Sequence, residues 1–348
     1  MGKPAAVRPS SAFTTVDLDG TGKQVGFLMI PHSPNDDAWG VTRIPLAVIQ
    51  NGSGPTVVLE AGNHGDEYEG QIAIGELIRE LDPGRVQGRL ILMPANNVHA
   101  VVAGQRVSPV DGLNFNRTFP GDTRGTITAQ IAAFVADHIY PRADGFLDLH
   151  SGGSSLDILP STVIEPTDDP ALHAKSVAAA RAFDAPYTVV ISNLGEPRTA
   201  TAAACRAGLI TVGTEMAGGG TVSIEALAIC RRGVRNVLAH LGVLPPGDAS
   251  PRRGDGTVLE LPGTSAFVFA TMDGVFEPLH ANGTSVRAGE RAGRIHCTWD
   301  PTRAPDELFY QADGILYGRR QPGRVRPGNC CLAVAAPYRG VLGTIRSE

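Results

Sequence analysis

The sequence predicts an α/β protein followed by a smaller all-β region. Up to about residue 245, short apolar runs bounded by turn residues alternate with stretches whose apolar residues recur every three to four positions. The first pattern is typical of buried strands and the second of amphipathic helices. Strands that alternate with helices predict a mostly parallel or mixed sheet covered by helices.

The individual elements follow from these patterns. The predicted strands cover residues 43–49, 56–62, 89–96, 145–150, 187–192 and 209–216. The predicted helices cover residues 69–81, 128–140, 169–183 and 223–241. In sheets of this kind functional residues gather at the carboxyl ends of the strands. We therefore look for chemistry where these strands end.

A boundary is predicted near residue 246. The stretch 244–257 is rich in proline and glycine and has no apolar period, which is typical of a linker. We assign residues 1–246 to a catalytic α/β domain and residues 247–348 to a C-terminal β domain that shapes its cleft.

The C-terminal region contains a weak internal repeat, whose two copies begin at Asp273 and Asp313. It predicts a small β-sandwich or barrel with pseudo-symmetry and resembles biotinyl and lipoyl carrier domains. A carrier needs a lysine in this region, whereas the lysines of this chain precede it, at Lys3, Lys23 and Lys175. A carrier role is therefore excluded.

Composition excludes several classes of protein. The net charge is −5, and no dense basic patch occurs, which argues against a nucleic-acid partner. No apolar run is long enough to span a membrane, and the first residues lack the apolar core of a secretory signal. The 5 cysteines include no Cys-x-x-Cys pair, which fits a reducing cytoplasm. A homo-oligomer stays possible.

A metal site is predicted from three residues at two strand ends. His64 and Glu67 are three residues apart in a tight polar stretch after one strand, and His150 ends another strand. Catalytic zinc prefers three His or carboxylate ligands and one open position. Asp148 alternates with His150 along the strand, so we expect it to orient the imidazole. We predict one zinc ion per chain.

Two further groups complete a hydrolytic site. Glu215 ends another apolar strand before three glycines, and we predict that it is the general base. Arg106, Asn116 and Arg117 lie in a turn-rich segment. Arginine binds carboxylates through a planar fork, so this segment is the candidate for holding a substrate carboxylate or a developing oxyanion.

The chain resembles the succinylglutamate desuccinylase/aspartoacylase family of the zinc carboxypeptidase superfamily. The resemblance lies in four motifs that occur in the same order: His-x-x-Glu, Asn-Arg-x-Phe, a His at a strand end and a Glu at a later strand end. The resemblance covers nearly the whole chain. It implies a carboxypeptidase-like mixed sheet flanked by helices, with an added all-β sandwich or barrel domain. It also implies zinc on His64, Glu67 and His150, and Glu215 as general base and acid.

The resemblance further implies roles for the turn-rich segment: Asn116 and Arg117 bind the substrate carboxylate, and Arg106 polarises the scissile carbonyl. The stretches at residues 32–40, 62–70 and 214–220 resemble a bacterial branch that includes an N-acetyl-diaminobutyrate deacetylase of ectoine breakdown. The predicted function is thus zinc-dependent removal of a small acyl group from an N-acylated amino acid.

Two alternative functions stay open. One is a metallocarboxypeptidase acting on short peptides, and the other is a non-catalytic protein that binds a small molecule. Asp36 and Asp37 could contact a substrate ammonium, but we favour a polar loop without that role. Tyr310 could reach into the cleft, but we favour a position outside it.

Overall fold

The computed structural model describes residues 8–191, 195–254 and 256–340. The helices are α1 Glu69–Glu80, α2 Val98–Ala103, α3 Ile127–Phe134, α4 Pro170–Phe183, α5 Ala200–Arg206 and α6 Ile224–His240. The strands are β1 Phe13–Thr14, β2 Gly22–Pro31, β3 Val41–Asn51, β4 Thr56–Ala61, β5 Gly88–Met93, β6 Gly145–His150, β7 Leu156–Ile164, β8 Tyr187–Val190, β9 Ile210–Gly218, β10 Thr257–Glu260, β11 Phe267–Phe269, β12 Gly274–Pro278, β13 Ser285–Val286, β14 Arg291–His296, β15 Asp306–Phe309, β16 Gly314–Arg320, β17 Arg324–Val325 and β18 Cys330–Pro337.

One mixed sheet organises the chain. Its strands follow the order β1-β2-β3-β5-β4-β6-β9-β7-β8-β10-β18-β16-β13. At its centre β5, β4, β6 and β9 run parallel to one another. The carboxyl ends of these strands therefore meet at one edge of the sheet, which is where the sequence predicts the site.

Helices cover both faces of this sheet. Apolar residues of α1, α4 and α6 pack on one face, and those of α3 and α5 pack on the other. The packing between α4 and α6 is close at Gly233, where a Cβ atom would lie 2.2 Å from the ring of Phe183. Any larger side chain at position 233 would push these two helices apart.

The C-terminal repeat folds as two interlocked units. The strands β12, β13 and β14 of the first copy correspond in order to β16, β17 and β18 of the second. The short strand of each copy pairs with the first strand of the other copy: β13 pairs with β16, and β17 pairs with β12. A separate apolar core fills this region. The predicted all-β architecture with pseudo-symmetry is confirmed.

The β region is also joined to the main sheet. The first strand beyond the predicted boundary, β10, pairs with β8, and β16 pairs with β7. Residues of the C-terminal region thereby lie directly beside strands of the α/β region. None of the helices described is both long and apolar enough to cross a bilayer.

Most predicted elements are present, with shifted ends. The predicted helix at 128–140 is an α-helix to Phe134 and then continues as a π turn over Val135–Ile139. The sequence patterns missed β2, β7, α2 and α5. Ser192, the last residue of the predicted strand 187–192, lies outside the described residues.

Candidate active site

Three parallel strands bring the predicted residues together. His64 and Glu67 lie in the loop between β4 and α1, and His150 is the last residue of β6. Glu215 lies on β9 directly opposite His150 in the strand register. The loop after β4 is tight, since a Cβ atom at Gly65 would lie 2.0 Å from the backbone of Ala100.

The three predicted metal ligands converge on one point. The Nδ1 atoms of His64 and His150 each lie 2.7 Å from a different carboxylate oxygen of Glu67. One ligand atom from each residue can be chosen so that all lie within 4.8 Å of one another. His64 and Glu67 are buried, and His150 is half-buried. Two imidazole nitrogens and one carboxylate are a donor set that suits a catalytic zinc ion.

Neighbouring residues fix the direction of both imidazole rings. The Nε2 atom of His64 lies 3.1 Å from Oδ1 of Asn114, and Nε2 of His150 lies 2.9 Å from Oδ1 of Asp148. A ring whose Nε2–H donates to an oxygen leaves the lone pair of Nδ1 free for a metal. Both rings therefore present Nδ1 to the space beside Glu67.

Asp148 is itself held by two donors. Asn63 donates from Nδ2 to Oδ1 of Asp148 at 2.8 Å, and Thr201 donates from Oγ1 to Oδ2 at 3.0 Å. The expected orientation of His150 by Asp148 thus has a geometric basis. Because Asn63 and Thr201 come from different elements, the carboxylate is fixed from two sides.

Charge is concentrated in this cluster. Burial opposes ionisation of Glu67, but the positive charges and hydrogen bonds of His64 and His150 outweigh it and lower the pKa of Glu67. Burial lowers the pKa of His64. Burial also opposes the charged form of His150, but Asp148 and Glu67 raise its pKa well above the usual range. A cation bound here would replace the protons that balance these carboxylates.

Glu215 lies beside the three predicted metal ligands, and its pKa is raised. Its Oε2 atom is buried and has no hydrogen-bond partner among the residues described. Burial, and then the negative charge of Glu67, raise the pKa of Glu215 to about 8. A carboxyl group with a pKa near neutrality can both accept and return a proton.

The polar segment before α3 supplies the other side of the site. Asn116 is fixed because its Oδ1 accepts from the backbone N–H of Ala200 at 2.7 Å. The guanidinium of Arg106 lies 3.5 Å from Oε1 of Glu67 and remains 44% exposed. Arg117 donates to the backbone carbonyl of Asn116 at 2.6 Å.

All of the predicted site residues line one cavity of about 270 Å³. Apolar residues complete its wall: Leu156, Ile158, Val163 and Ile191. A neighbouring cavity of about 360 Å³ shares Arg117 and Glu215 with it and is also lined by residues of the C-terminal region, including Phe267 and Tyr317. The β region therefore borders the approach to the site.

Two other candidate contacts lie elsewhere. Tyr310 is 1% exposed within the core of the β region, and its hydroxyl lies 3.1 Å from Nδ1 of His280. Asp36 and Asp37 are exposed in a loop, where Asp37 accepts from the backbone N–H of Trp39. Tyr310 thus lies in the core of the β region and Asp36 and Asp37 lie in a polar loop, and that none of them contacts the substrate stays a prediction.

Residues 53–241 match the family model of the succinylglutamate desuccinylase/aspartoacylase catalytic domain. A deacetylase of Halomonas elongata, N-alpha-acetyl-L-2,4-diaminobutyric acid deacetylase, is 40% identical over 336 residues, which are 96% of this chain and 97% of that protein. This chain belongs to the succinylglutamate desuccinylase/aspartoacylase family. It is accordingly an amide hydrolase of the deacylase type.

Solved structures of the family agree over almost the entire chain. A succinylglutamate desuccinylase/aspartoacylase from Rhodobacter sphaeroides is 44% identical with a TM-score of 0.89, over 94% of this chain and 100% of that one. The product-bound ectoine utilization protein EutE (DoeB) from Ruegeria pomeroyi is 38% identical with a TM-score of 0.90, over 94% of this chain and 100% of that one. The predicted fold class and family are confirmed.

Sequence reasoning did not single out every polar residue of this family member's site. It missed the residues that orient the predicted ligands, Asn63, Asn114 and Thr201. Asn63 directly precedes His64 and Asn114 lies two residues before Asn116, so their positions in the sequence could have indicated them. Thr201 gave no signal, since it comes from a helix that the patterns missed.

Proposed function

We propose that this enzyme is a zinc-dependent deacetylase that acts on N-alpha-acetyl-L-2,4-diaminobutyrate. The observation that carries the proposal is the convergence of His64, Glu67 and His150 beside Glu215 in one cavity. The choice of substrate is supported by the deacetylase of Halomonas elongata, which is similar over nearly its full length. The EutE structure from Ruegeria pomeroyi, a protein of ectoine utilization, supports the same choice.

The donor set fits zinc. Nδ1 of His64, a carboxylate oxygen of Glu67 and Nδ1 of His150 would hold the ion, and hydrogen bonds at both Nε2 atoms already set the ring directions. When bound, zinc would polarise the acyl carbonyl and lower the pKa of water in the site to about 7. The fully buried carboxylate of Glu67 also favours a cation in this position, because an unbalanced buried charge is costly.

Glu215 performs the proton transfers in this proposal. Its carboxylate takes a proton from the attacking water as the new carbon–oxygen bond forms. It then gives that proton to the departing amide nitrogen when the carbon–nitrogen bond breaks, which releases the free amine and acetate. The pKa of about 8 suits both steps, and the charge of a bound cation would lower that pKa toward neutrality.

The remaining polar groups hold the substrate. Arg117 and Asn116 would bind the α-carboxylate, since the guanidinium fork matches a carboxylate and the Asn116 amide is already fixed. The guanidinium of Arg106 lies 3.5 Å from Oε1 of Glu67, and Arg106 would stabilise the negative charge that develops on the acyl oxygen.

The division of the chain at residue 246 belongs to this proposal as well. The β region of residues 247–348 would narrow the cleft, so that small acyl amino acids enter and peptides are excluded. Residues of that region line the neighbouring cavity, which supports this role. A cytoplasmic location and a homo-oligomeric state stay predictions.

The proposal is tested by a hydrolysis screen. Purified enzyme is assayed with N-acetyl, N-succinyl and N-formyl amino acids, including N-acetyl-diaminobutyrate, and with short peptides. Enzyme treated with a metal chelator is the control. We expect release of diaminobutyrate to have the highest kcat/KM. Preferred release of C-terminal residues from peptides would instead establish a carboxypeptidase.

A further inference from the structure

The neighbouring cavity of about 360 Å³ has no part in the reaction described above. It shares Glu215 and Arg117 with the catalytic cavity of about 270 Å³, together with the apolar residues Leu156, Ile158 and Ile191. Pockets that bind small molecules have volumes of about 300–1,000 Å³, so this space is large enough for part of a substrate. The two cavities therefore adjoin at the catalytic carboxylate.

The C-terminal β region supplies much of the lining of the neighbouring cavity. Leu261, Phe267 and Ala333 contribute apolar side chains. Tyr317 is buried, and its hydroxyl lies 2.7 Å from Oγ of Ser161, so its polar atom already has a partner. Among the described residues that line this cavity, the charged ones are thus confined to the pair that it shares with the catalytic cavity.

Strand pairing explains why the aromatic ring of Tyr317 lies near Glu215. Ser161 on β7 is directly opposite Glu215 on β9, and β16, which carries Tyr317, pairs with β7. Residues directly opposite each other in antiparallel strands have their side chains on the same face of the sheet. Because the hydroxyl of Tyr317 contacts Ser161, the ring lies on the face that carries Glu215.

The polar parts of the proposed substrate belong in the catalytic cavity. The three predicted metal ligands and Asn116 line that cavity and do not line the neighbouring one. They account for the scissile carbonyl and the α-carboxylate. An ammonium side chain would lose its hydration among apolar residues without gaining a partner, which is costly. The substituent that suits the neighbouring cavity is therefore the hydrocarbon part of the acyl group.

We propose that the neighbouring cavity is an acyl pocket, and that the enzyme also removes apolar acyl groups longer than acetyl, such as propionyl and butyryl. The inference rests on the proposed deacetylase function and extends its range of acyl groups. The reaction is the same: water adds to the carbonyl carbon, the carbon–nitrogen bond breaks, and the amine receives the proton. Butyrate then leaves in place of acetate.

The first test compares N-acetyl-diaminobutyrate with N-butyryl-diaminobutyrate in the wild-type enzyme. The second substrate is longer by two methylene groups, and burial of each can raise kcat/KM by up to about fourfold. We expect kcat/KM for the butyryl substrate to equal or exceed that for the acetyl substrate. A lower value would overturn the inference, because it would mean that the longer chain finds no apolar pocket.

Two variants change the lining in opposite ways. Phe267→Ala removes an apolar wall, and Gly318→Val fills part of the space. The second change fits the strand, because a Cβ atom at Gly318 would lie 3.5 Å from Cγ1 of Ile158, which is an ordinary contact. In both variants we expect the ratio of kcat/KM for the butyryl substrate to that for the acetyl substrate to fall about 5- to 15-fold.

The matched control is Phe309→Ala, the same change at a residue of the β region that is 43% exposed and does not line the cavity. It should keep the wild-type ratio. Circular dichroism and zinc content verify that each variant is folded and loaded. An unchanged ratio in folded Phe267→Ala and Gly318→Val would mean that these residues do not contact the acyl chain, and it would overturn the inference.

Two outcomes separate this inference from the proposed function. If the wild-type enzyme hydrolyses N-acetyl-diaminobutyrate but not the butyryl substrate, the acyl pocket is wrong while the deacetylase function stands. If the wild-type enzyme hydrolyses no N-acyl amino acid, the deacetylase function is wrong and the inference falls with it.

Discussion

Asp148 orients His150: Oδ1 of Asp148 lies 2.9 Å from Nε2 of the ring, while Nδ1 lies 2.7 Å from Glu67. Asp148→Asn keeps the shape of the side chain but removes its charge. We expect the variant to bind zinc about 10- to 100-fold more weakly, because such orienting carboxylates contribute that much to metal affinity. Competition with a coloured chelator measures it.

The control for this change is Asp300→Asn, at an exposed turn of the β region. It should bind zinc as the wild-type protein does. If Asp148→Asn also retains full zinc affinity while the fold is intact, the contact with His150 does not prepare a metal site.

Glu215 is the residue on which the proton transfers depend. Glu215→Gln has nearly the same size but cannot accept a proton, so we expect kcat to fall about 10²- to 10⁴-fold. Zinc content should be unchanged, because Glu215 is not one of the three clustered donors. Steady-state kinetics and metal analysis on the same sample test both statements, and a kcat within threefold of the wild-type value would exclude a general-base role.

Arg117 is expected to recognise the substrate carboxylate through its planar fork. Arg117→Lys keeps the charge but loses the paired geometry, and we expect KM to rise more than kcat falls. The measurement compares N-acetyl-diaminobutyrate with its α-carboxamide. The wild-type enzyme should prefer the acid, and the variant should lose most of that preference. Equal discrimination by both enzymes would assign the carboxylate to another group.

Glu60 provides a prediction for stability. It is fully buried on β4. Burial, and then the negative charge of Asp148, raise its pKa well above 4.5, although Asn96 opposes this shift. Above about pH 4.5 the unfolded chain loses this proton while the folded protein keeps it. The resulting penalty is absent below that pH and grows by roughly 1.4 kcal/mol per pH unit toward the folded-state pKa.

Glu60→Gln stays neutral at every pH and should therefore avoid the penalty. We expect its unfolding temperature to exceed that of the wild-type protein at pH 7 and to match it at pH 4. Thermal unfolding followed by circular dichroism at the two values measures the difference, with Glu80→Gln as the control. The same change in unfolding temperature at both values would mean that titration of Glu60 is not its cause.

The parallel centre of the fold could be predicted because its strands carry continuous apolar runs. Residues 56–61 and 145–150 are buried almost throughout, so the sequence pattern and the structure coincide there. The same runs located the site, because polar residues stand out at the ends of buried parallel strands. His64, His150 and Glu215 were all found by this rule.

The missed elements lack such a pattern. The strand β2 at Gly22–Pro31 has mixed exposure, and β7 at Leu156–Ile164 carries a register irregularity between Ile158 and Ser161 that breaks the alternation. The helix α5 is short and rich in alanine, which gives almost no amphipathic signal. Thr201 lies on α5, so its place in the wall of the cavity emerges only from tertiary structure.

The central claim is that His64, Glu67 and His150 hold a zinc ion on which deacetylation depends. The most direct measurement is to remove metal by dialysis against a chelator, add zinc back in steps, and follow acetate release from N-acetyl-diaminobutyrate. We predict that the metal-free protein is inactive and that about one equivalent of zinc per chain restores full activity. Full activity in the metal-free protein would contradict the account.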